Sequence, residues 1–140
     1  MAQVIPYLLF NGTCEEAFNL YKSVFGGEFP YIGRFKDMPP MPGKEIPASE
    51  GEKIMHISLP IGGGTYLMGS DSGGNTVTVG NNFSVSVNAD SEEEATRIFN
   101  GLSVGGKVMM SMEKTFWGAY FGMFVDRFGI AWMVNYDYQK

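Results

Sequence analysis

His56 and Cys14 are the two residues of this 140-residue chain whose side chains are best suited to acid–base or nucleophilic chemistry, and each is the single residue of its type. Imidazole gains and loses a proton near neutral pH, so His56 is the natural candidate for proton transfer. It lies inside the apolar run from Ile54 to Leu59, which is typical of a strand. There, a structural hydrogen bond or the orientation of a ligand is a commoner role than catalysis, and we expect one of those two roles.

Cys14 stands at the start of a predicted helix, on what we expect to be the outer layer of the fold. A helix N-terminus can lower the pKa of a thiol, but no base can be paired with Cys14 from the sequence. We therefore interpret this cysteine as incidental. A single cysteine also excludes an internal disulfide.

The remaining polar candidates are Arg34, which ends a predicted strand, and Asp71, which ends the segment Leu-Met-Gly-Ser-Asp. We expect both to lie near the mouth of a cleft. Other carboxylates crowd the first turns of the two predicted helices, where they favour the helix dipole and cap free amides. We interpret these as structural; they are Glu15, Glu16, Glu92, Glu93 and Glu94.

Composition limits the partners. The formal net charge is −5, and the ten basic residues form no cluster, so we expect no nucleic-acid partner. No apolar run approaches the roughly eighteen residues that a membrane span needs, so we expect no membrane partner. The first residues lack the basic and apolar regions of a signal peptide, which predicts a cytoplasmic protein.

The periodicity of apolar residues gives the elements of the first half. A strand at Val4–Phe10 leads to a helix at Thr13–Phe25, where Thr13 and Glu16 have the spacing of a capping box. The predicted core stripe of this helix has helical spacing and consists of Ala17, Leu20, Tyr21, Val24 and Phe25. A strand at Glu28–Phe35, a proline-rich loop at Lys36–Glu52 and a hairpin of Lys53–Pro60 and Thr65–Gly69 follow.

The second half repeats this plan. A strand at Phe83–Val87 precedes a helix at Ser91–Leu102, with a capping box of Ser91 and Glu94. Its apolar stripe consists of Ala95, Ile98, Phe99 and Leu102. The run Phe116–Asp137 then predicts two strands joined by a tight turn at Asp126–Gly129. We infer one domain, residues 1–140, made of two βαβββ modules at residues 1–80 and 81–140.

The run Phe116–Asp137 is too rich in aromatic residues and methionine for a hairpin with one buried face. We therefore predict that one face packs on helices and that the other lines an apolar cleft for a small molecule. Plain core packing is the alternative for each residue. The predicted lining residues are Tyr7, Tyr66, Trp117, Tyr120, Trp132 and Met133.

The segments PYLLFNGTCEEAFNLYKSVFGGEF, MHISLPIGGGTYLMGSD and FWGAYFGMFVDRFGIAWMVN resemble the PhnB-like branch of the vicinal oxygen chelate superfamily, which includes glyoxalases, bleomycin-resistance proteins and dioxygenases. Members often carry the name 3-demethylubiquinone 3-methyltransferase. The resemblance implies an α+β fold in which two βαβββ modules form a curved mixed sheet with a concave cleft. It also implies a homodimer. No strand is followed by a glycine-rich loop of the kind that would hold a methyl donor.

The resemblance also implies where a metal ion would bind in this superfamily. The four ligand positions fall on Ile5, on Leu67 or Met68, on Asn82 or Phe83, and on Met133, none of which offers a carboxylate or imidazole. We therefore predict a protein with no metal site of that kind and no cofactor, which binds a small molecule. One alternative is a lyase, dioxygenase or methyltransferase that uses His56 as acid or base. Another is a dimeric protein whose own side chains fill the cleft.

Overall fold

The computed structural model describes residues 2–39, 43, 47–73 and 76–138. The chain divides into two compact units, one ending at Thr78 and the other beginning at Val79. In the described residues, each unit holds one four-stranded mixed sheet and one long helix. This is the predicted α+β fold of two βαβββ modules.

The first unit begins with a strand, a helix and a second strand: β1 (Tyr7–Phe10), α1 (Cys14–Phe25) and β2 (Tyr31–Arg34). The hairpin of β3 (Ile54–Gly62) and β4 (Thr65–Asp71) follows. The strand order is β1-β4-β3-β2, in which β1 and β4 run parallel and the other neighbours antiparallel. A short 3-10 helix at Phe35–Asp37 overlaps the start of the predicted loop at Lys36–Glu52, and a second one lies within it at Ala48–Glu50. Part of this loop lies outside the described residues.

The second unit has the same plan: β5 (Val85–Asn88), α2 (Glu92–Ser103), β6 (Lys107–Lys114), β7 (Ala119–Val125) and β8 (Ala131–Asp137). The order is β5-β8-β7-β6, again with the first pair parallel. The turn between β7 and β8 is the predicted one, and the Gly129 amide donates to the Asp126 carbonyl at 3.0 Å. The apolar pattern predicts no bounds for β6, because most of its residues are exposed.

The core stripe of α2 is the predicted one, because Ala95, Ile98, Phe99 and Leu102 are all buried. The buried stripe of α1 is rotated around the helix relative to the predicted one. Cys14 and Phe18 are buried in it, whereas the predicted Leu20 and Phe25 are only half-buried. Gly69 explains the position of Phe18, since a Cβ on this residue of β4 would lie 2.8 Å from the Phe18 ring.

The two helices begin differently. At α2 the Ser91 hydroxyl accepts a hydrogen bond from the Glu94 amide at 3.0 Å, as predicted, and the Glu94 carboxylate accepts one from the Asp90 amide at 2.8 Å. At α1 the predicted capping box is wrong, because Thr13 makes no side-chain cap hydrogen bond. A residue far away in the sequence caps this helix instead. No helix in the described residues is long and apolar enough to cross a membrane.

Candidate functional site

The strand register decides which side chains lie on the face of the first sheet that is turned away from α1. Directly paired residues of neighbouring strands point to the same face. One such row runs from Tyr7 through Met68 and Ser58 to Tyr31, across β1, β4, β3 and β2. His56 lies on the same face, opposite Gly33. We call this surface the first open face; its residues are Tyr7, Tyr31, Gly33, His56, Ser58, Tyr66 and Met68.

His56 is the centre of an aromatic group on the first open face. The Tyr7 hydroxyl and His56 Nδ1 are 2.9 Å apart, and the two rings are stacked with centroids 5.6 Å apart. The Tyr31 ring lies on another side of the imidazole, at 5.7 Å between centroids. Both tyrosines are about half exposed, at 48% and 49%. Within the described part of the chain, the only hydrogen-bond partner of His56 is Tyr7, at Nδ1.

Gly33 makes room for this group. A Cβ at Gly33 would lie 2.7 Å from the Tyr31 hydroxyl oxygen, so the tyrosine ring extends over the glycine and toward His56. Sequence analysis selected Tyr7, His56 and Tyr66 on this face and missed Tyr31. The signal that could have found Tyr31 is its spacing of two from Gly33, which is informative only once β2 is paired with β3.

Arg34 lies elsewhere, which corrects the prediction that it borders the cleft. The register shifts between Gly33 and Arg34, and the arginine lies on the helix side of the sheet. There its guanidinium donates two hydrogen bonds to the Glu15 carboxylate of α1, at 2.9 and 2.7 Å, and a third to the Glu52 carbonyl at 2.7 Å. These hydrogen bonds lower the pKa of Glu15. Glu15 therefore joins α1 to β2, beyond its predicted role at the helix dipole.

Asp71, which we also predicted near a cleft mouth, has hydrogen-bond partners within the first unit. Its side chain is buried, and its two carboxylate oxygens accept hydrogen bonds from the Cys14 amide at 3.0 Å and the Ile54 amide at 2.9 Å. The carboxylate thus caps α1 in place of Thr13 and fixes the start of β3. We interpret Asp71 as structural.

Cys14 is fully buried, which corrects its predicted position on the outer layer. Burial raises the pKa of the thiol, and the nearby Asp71 and Glu15 carboxylates raise it further. These effects exceed any lowering by the helix N-terminus.

We expect native Cys14 to resist thiol reagents and to make stability fall at alkaline pH. The unfolded thiol loses its proton near its ordinary pKa of 9.0, whereas the folded thiol keeps it. Above about pH 9, unfolding therefore releases a proton, and the free energy of unfolding falls by up to about 1.4 kcal/mol per pH unit. Urea titrations of the wild type and of Cys14→Ala between pH 7 and 10 measure this. Equal pH slopes for the two proteins would contradict it.

The residues of the second sheet that we predicted to line a cleft lie on two different faces of that sheet. Tyr120 is on the helix side, where its hydroxyl and that of Thr96 on α2 are 2.9 Å apart. Trp132 is fully buried and donates from Nε1 to Asp126 at 2.9 Å. Both placements correct the predicted lining. Met133 is on the face turned away from α2, and Phe121 is on the same face. The Phe121 ring meets the ring of the exposed Trp117 edge to face, with 6.1 Å between the ring centroids.

A sequence profile of the family described as 3-demethylubiquinone-9 3-methyltransferase matches residues 2–135. The chain belongs to this family. Protein YjdN of Escherichia coli K12 is 31% identical over 139 residues, covering 93% of this chain and 92% of that protein. The fold is that of the PhnB-like vicinal oxygen chelate proteins, as the resemblance implied.

Two solved structures show how well the family fold is preserved. Protein PA1353 from Pseudomonas aeruginosa is 44% identical, with a TM-score of 0.86 and 98% of each chain covered. A putative 3-demethylubiquinone-9 3-methyltransferase, PhnB protein, from Bacillus cereus is 26% identical, with a TM-score of 0.78 and 96% of this chain and 99% of that chain covered. At the level of fold alone, a glyoxalase-related enzyme from Fulvimarina pelagi gives a TM-score of 0.61 at 16% identity, covering 97% of this chain and 89% of that one.

The superfamily's metal positions do not fit a hard cation in this family member. Leu67 is fully buried in the core, while Met68 and Met133 offer only thioether sulfur. The described residues contain no group of three His, Cys, Asp or Glu side chains that could hold an ion. The Cys14 amide at the start of α1 binds the Asp71 carboxylate, so this amide is not free to bind a ligand.

Proposed function

We propose that this protein binds a small, planar molecule on the first open face without the help of a metal ion. The observation that carries the proposal is the group of Tyr7, Tyr31 and His56, whose three rings lie together on a sheet face turned away from the helix. Aromatic rings on a rigid sheet stack well on a flat ligand, because little conformational freedom is lost when they do so.

The chemistry of the face limits the ligand. The residues that define the first open face include no Asp, Glu, Lys or Arg, so nothing there favours a highly charged molecule. When the Tyr7 hydroxyl donates to His56 Nδ1, the neutral imidazole carries its proton on Nε2 and donates it. We therefore propose a flat molecule with a carbonyl or similar oxygen that accepts this hydrogen bond.

The expected affinity is modest. Burial of about 200 Å² of apolar surface contributes roughly 5 kcal/mol at about 25 cal/mol per Å², before the loss of ligand motion is subtracted. One hydrogen bond from His56 adds about 1 kcal/mol. The aromatic residues therefore supply more of the binding free energy than the histidine does.

The test compares variants in a binding titration. Native mass spectrometry of the purified protein identifies any molecule that copurifies, and a screen of benzoquinones, naphthoquinones and hydroxybenzoates by amide NMR supplies a probe. We expect His56→Ala to weaken binding about tenfold and Tyr31→Ala to weaken it further. Phe29→Ala is the matched control, since that ring lies under Lys22 of α1. A probe whose affinity is equal in wild type, His56→Ala and Tyr31→Ala would disprove the site.

A second candidate function is an enzyme in which His56 acts as acid or base. The observation that favours it is the hydrogen bond between Tyr7 and His56, since an imidazole held by a second residue is the usual arrangement in proton transfer. This alternative predicts a turnover that His56→Ala abolishes and Tyr31→Ala largely keeps. The binding function predicts no turnover in any of these proteins.

A further inference from the structure

Three methionines form one row across the second sheet. Met110 on β6 is paired with Met123 on β7, and Met123 is paired with Met133 on β8. In such a row, the Cβ atoms of neighbouring residues are about 4.5 to 5.5 Å apart and point to the same face. The row ends at Ser86 on β5. We call these three residues the methionine row.

The methionine row lies on the face turned away from α2. Gly122, the residue before Met123, is on the other face, because a Cβ there would meet the Phe99 ring of α2 at 2.8 Å. Met112 is on that helix side as well, with its sulfur 2.7 Å from the same position. The register of β6 shifts on both sides of Met110, which accounts for the opposite faces of Met110 and Met112.

The methionines of the row are at least partly exposed. Met110 is 43% exposed, and Met123 and Met133 are half-buried, so solvent reaches part of each. A methionine side chain is unbranched and has three rotatable bonds, so neighbouring side chains in a row adapt to a common partner. Three thioether sulfurs can thus converge on one point above the sheet.

We propose that the methionine row binds a soft monovalent ion, Cu(I) or Ag(I), through its three thioether sulfurs. Thioethers are soft ligands that select Cu(I), whereas hard divalent ions prefer oxygen. The row contains no carboxylate or imidazole that would attract a hard ion in its place. The site consists of residues of the second unit alone and requires no ligand on the first open face.

The first unit provides an internal comparison. The row of its sheet that contains Met68 runs through Tyr7, Ser58 and Tyr31, so it has one thioether where the second unit has three. A single thioether is a weak ligand. We therefore expect the ion to bind in the second unit alone, at one per chain.

The experiment uses protein whose methionine methyl groups carry carbon-13, and Ag(I) as a probe that needs no reductant. Cys14→Ala is the background, so that the protein carries no thiol and every silver ligand under test is a thioether. Of the ten methionines, we expect the methyl signals of Met110, Met123 and Met133 to shift and to saturate at one equivalent. Met123→Leu and Met110→Leu should each weaken binding at least about tenfold, while Met112→Leu on the helix side should not change it. Cu(I) kept reduced with ascorbate should shift the same signals.

Three outcomes would overturn the proposal: no methyl shifts at several equivalents of silver, shifts that Met110→Leu and Met123→Leu leave unchanged, or an equal loss of affinity in Met112→Leu. Leucine has nearly the volume of methionine, and Met110 is exposed, so Met110→Leu should fold normally. Circular dichroism of each variant checks this.

Discussion

Replacing Asp126 by alanine should lower the free energy of unfolding of the second unit by at least about 4.5 kcal/mol. One carboxylate oxygen accepts hydrogen bonds from the amides of Phe128 and Ile130, at 2.9 and 3.0 Å, and the other accepts one from Trp132 Nε1 at 2.9 Å. Alanine leaves these donors without this acceptor, and a hydrogen bond to a charged group contributes about 1.5 to 3 kcal/mol. Asp126 and Trp132 are both buried, so water cannot replace the carboxylate without disturbing the core.

Urea unfolding followed by tryptophan fluorescence measures this, because both tryptophans, Trp117 and Trp132, belong to the second unit. Asp90→Ala is the matched control, since Asp90 is an exposed aspartate of the same unit. It should change stability by less than about 0.5 kcal/mol. A loss below 1 kcal/mol in Asp126→Ala would show that the turn between β7 and β8 holds without the carboxylate.

Replacing Asp71 by alanine should lower the stability of the first unit by about 3 to 5 kcal/mol. Its carboxylate binds the amides of Cys14 and Ile54, and these two residues lie far from it in the sequence, at separations of 57 and 17 residues. Alanine would leave both amides buried without an acceptor, a change that costs about 1 to 3 kcal/mol for each. Asp71→Asn should lose nearly as much stability. The asparagine NH₂ group would then face one of the two backbone amides, and two donors cannot form a hydrogen bond.

Circular dichroism in urea measures the loss, with Asn19→Ala, at an exposed position of α1, as control. The same variants separate a structural role from the ligand-binding role that the sequence predicted for Asp71. A structural residue lowers stability and leaves the affinity of the folded protein for a probe unchanged. Normal stability combined with lost binding would restore the prediction that Asp71 borders a cleft.

Local patterns in the sequence were enough to predict much of the fold. The stripe of α2, the hairpin of Lys53–Pro60 and Thr65–Gly69, and the turn at Asp126–Gly129 all follow from residues within a few positions of one another. Helix spacing and glycine turns are properties of short segments, so a single sequence reveals them. The repeat of the βαβββ plan followed from the same signals seen twice.

The face of the sheet on which an individual side chain lies could not be predicted from such local patterns. A strand alternates between its two faces, so a shift of one residue in register moves a side chain to the other face. Such shifts occur at Gly33/Arg34 and on both sides of Met110. They place Arg34 beside Glu15 of α1 and set Met110 and Met112 on opposite faces.

The sequence by itself therefore determined the two modules, their helices and the presence of His56 on a strand. Only the tertiary structure decided that Tyr7 and Tyr31 meet His56, that Asp71 caps α1 and that Tyr120 and Trp132 lie on the side of α2. The physical reason is that these contacts join strands and helices that are far apart in the chain. Their geometry depends on register and bulges, which long-range pairing fixes and local composition does not.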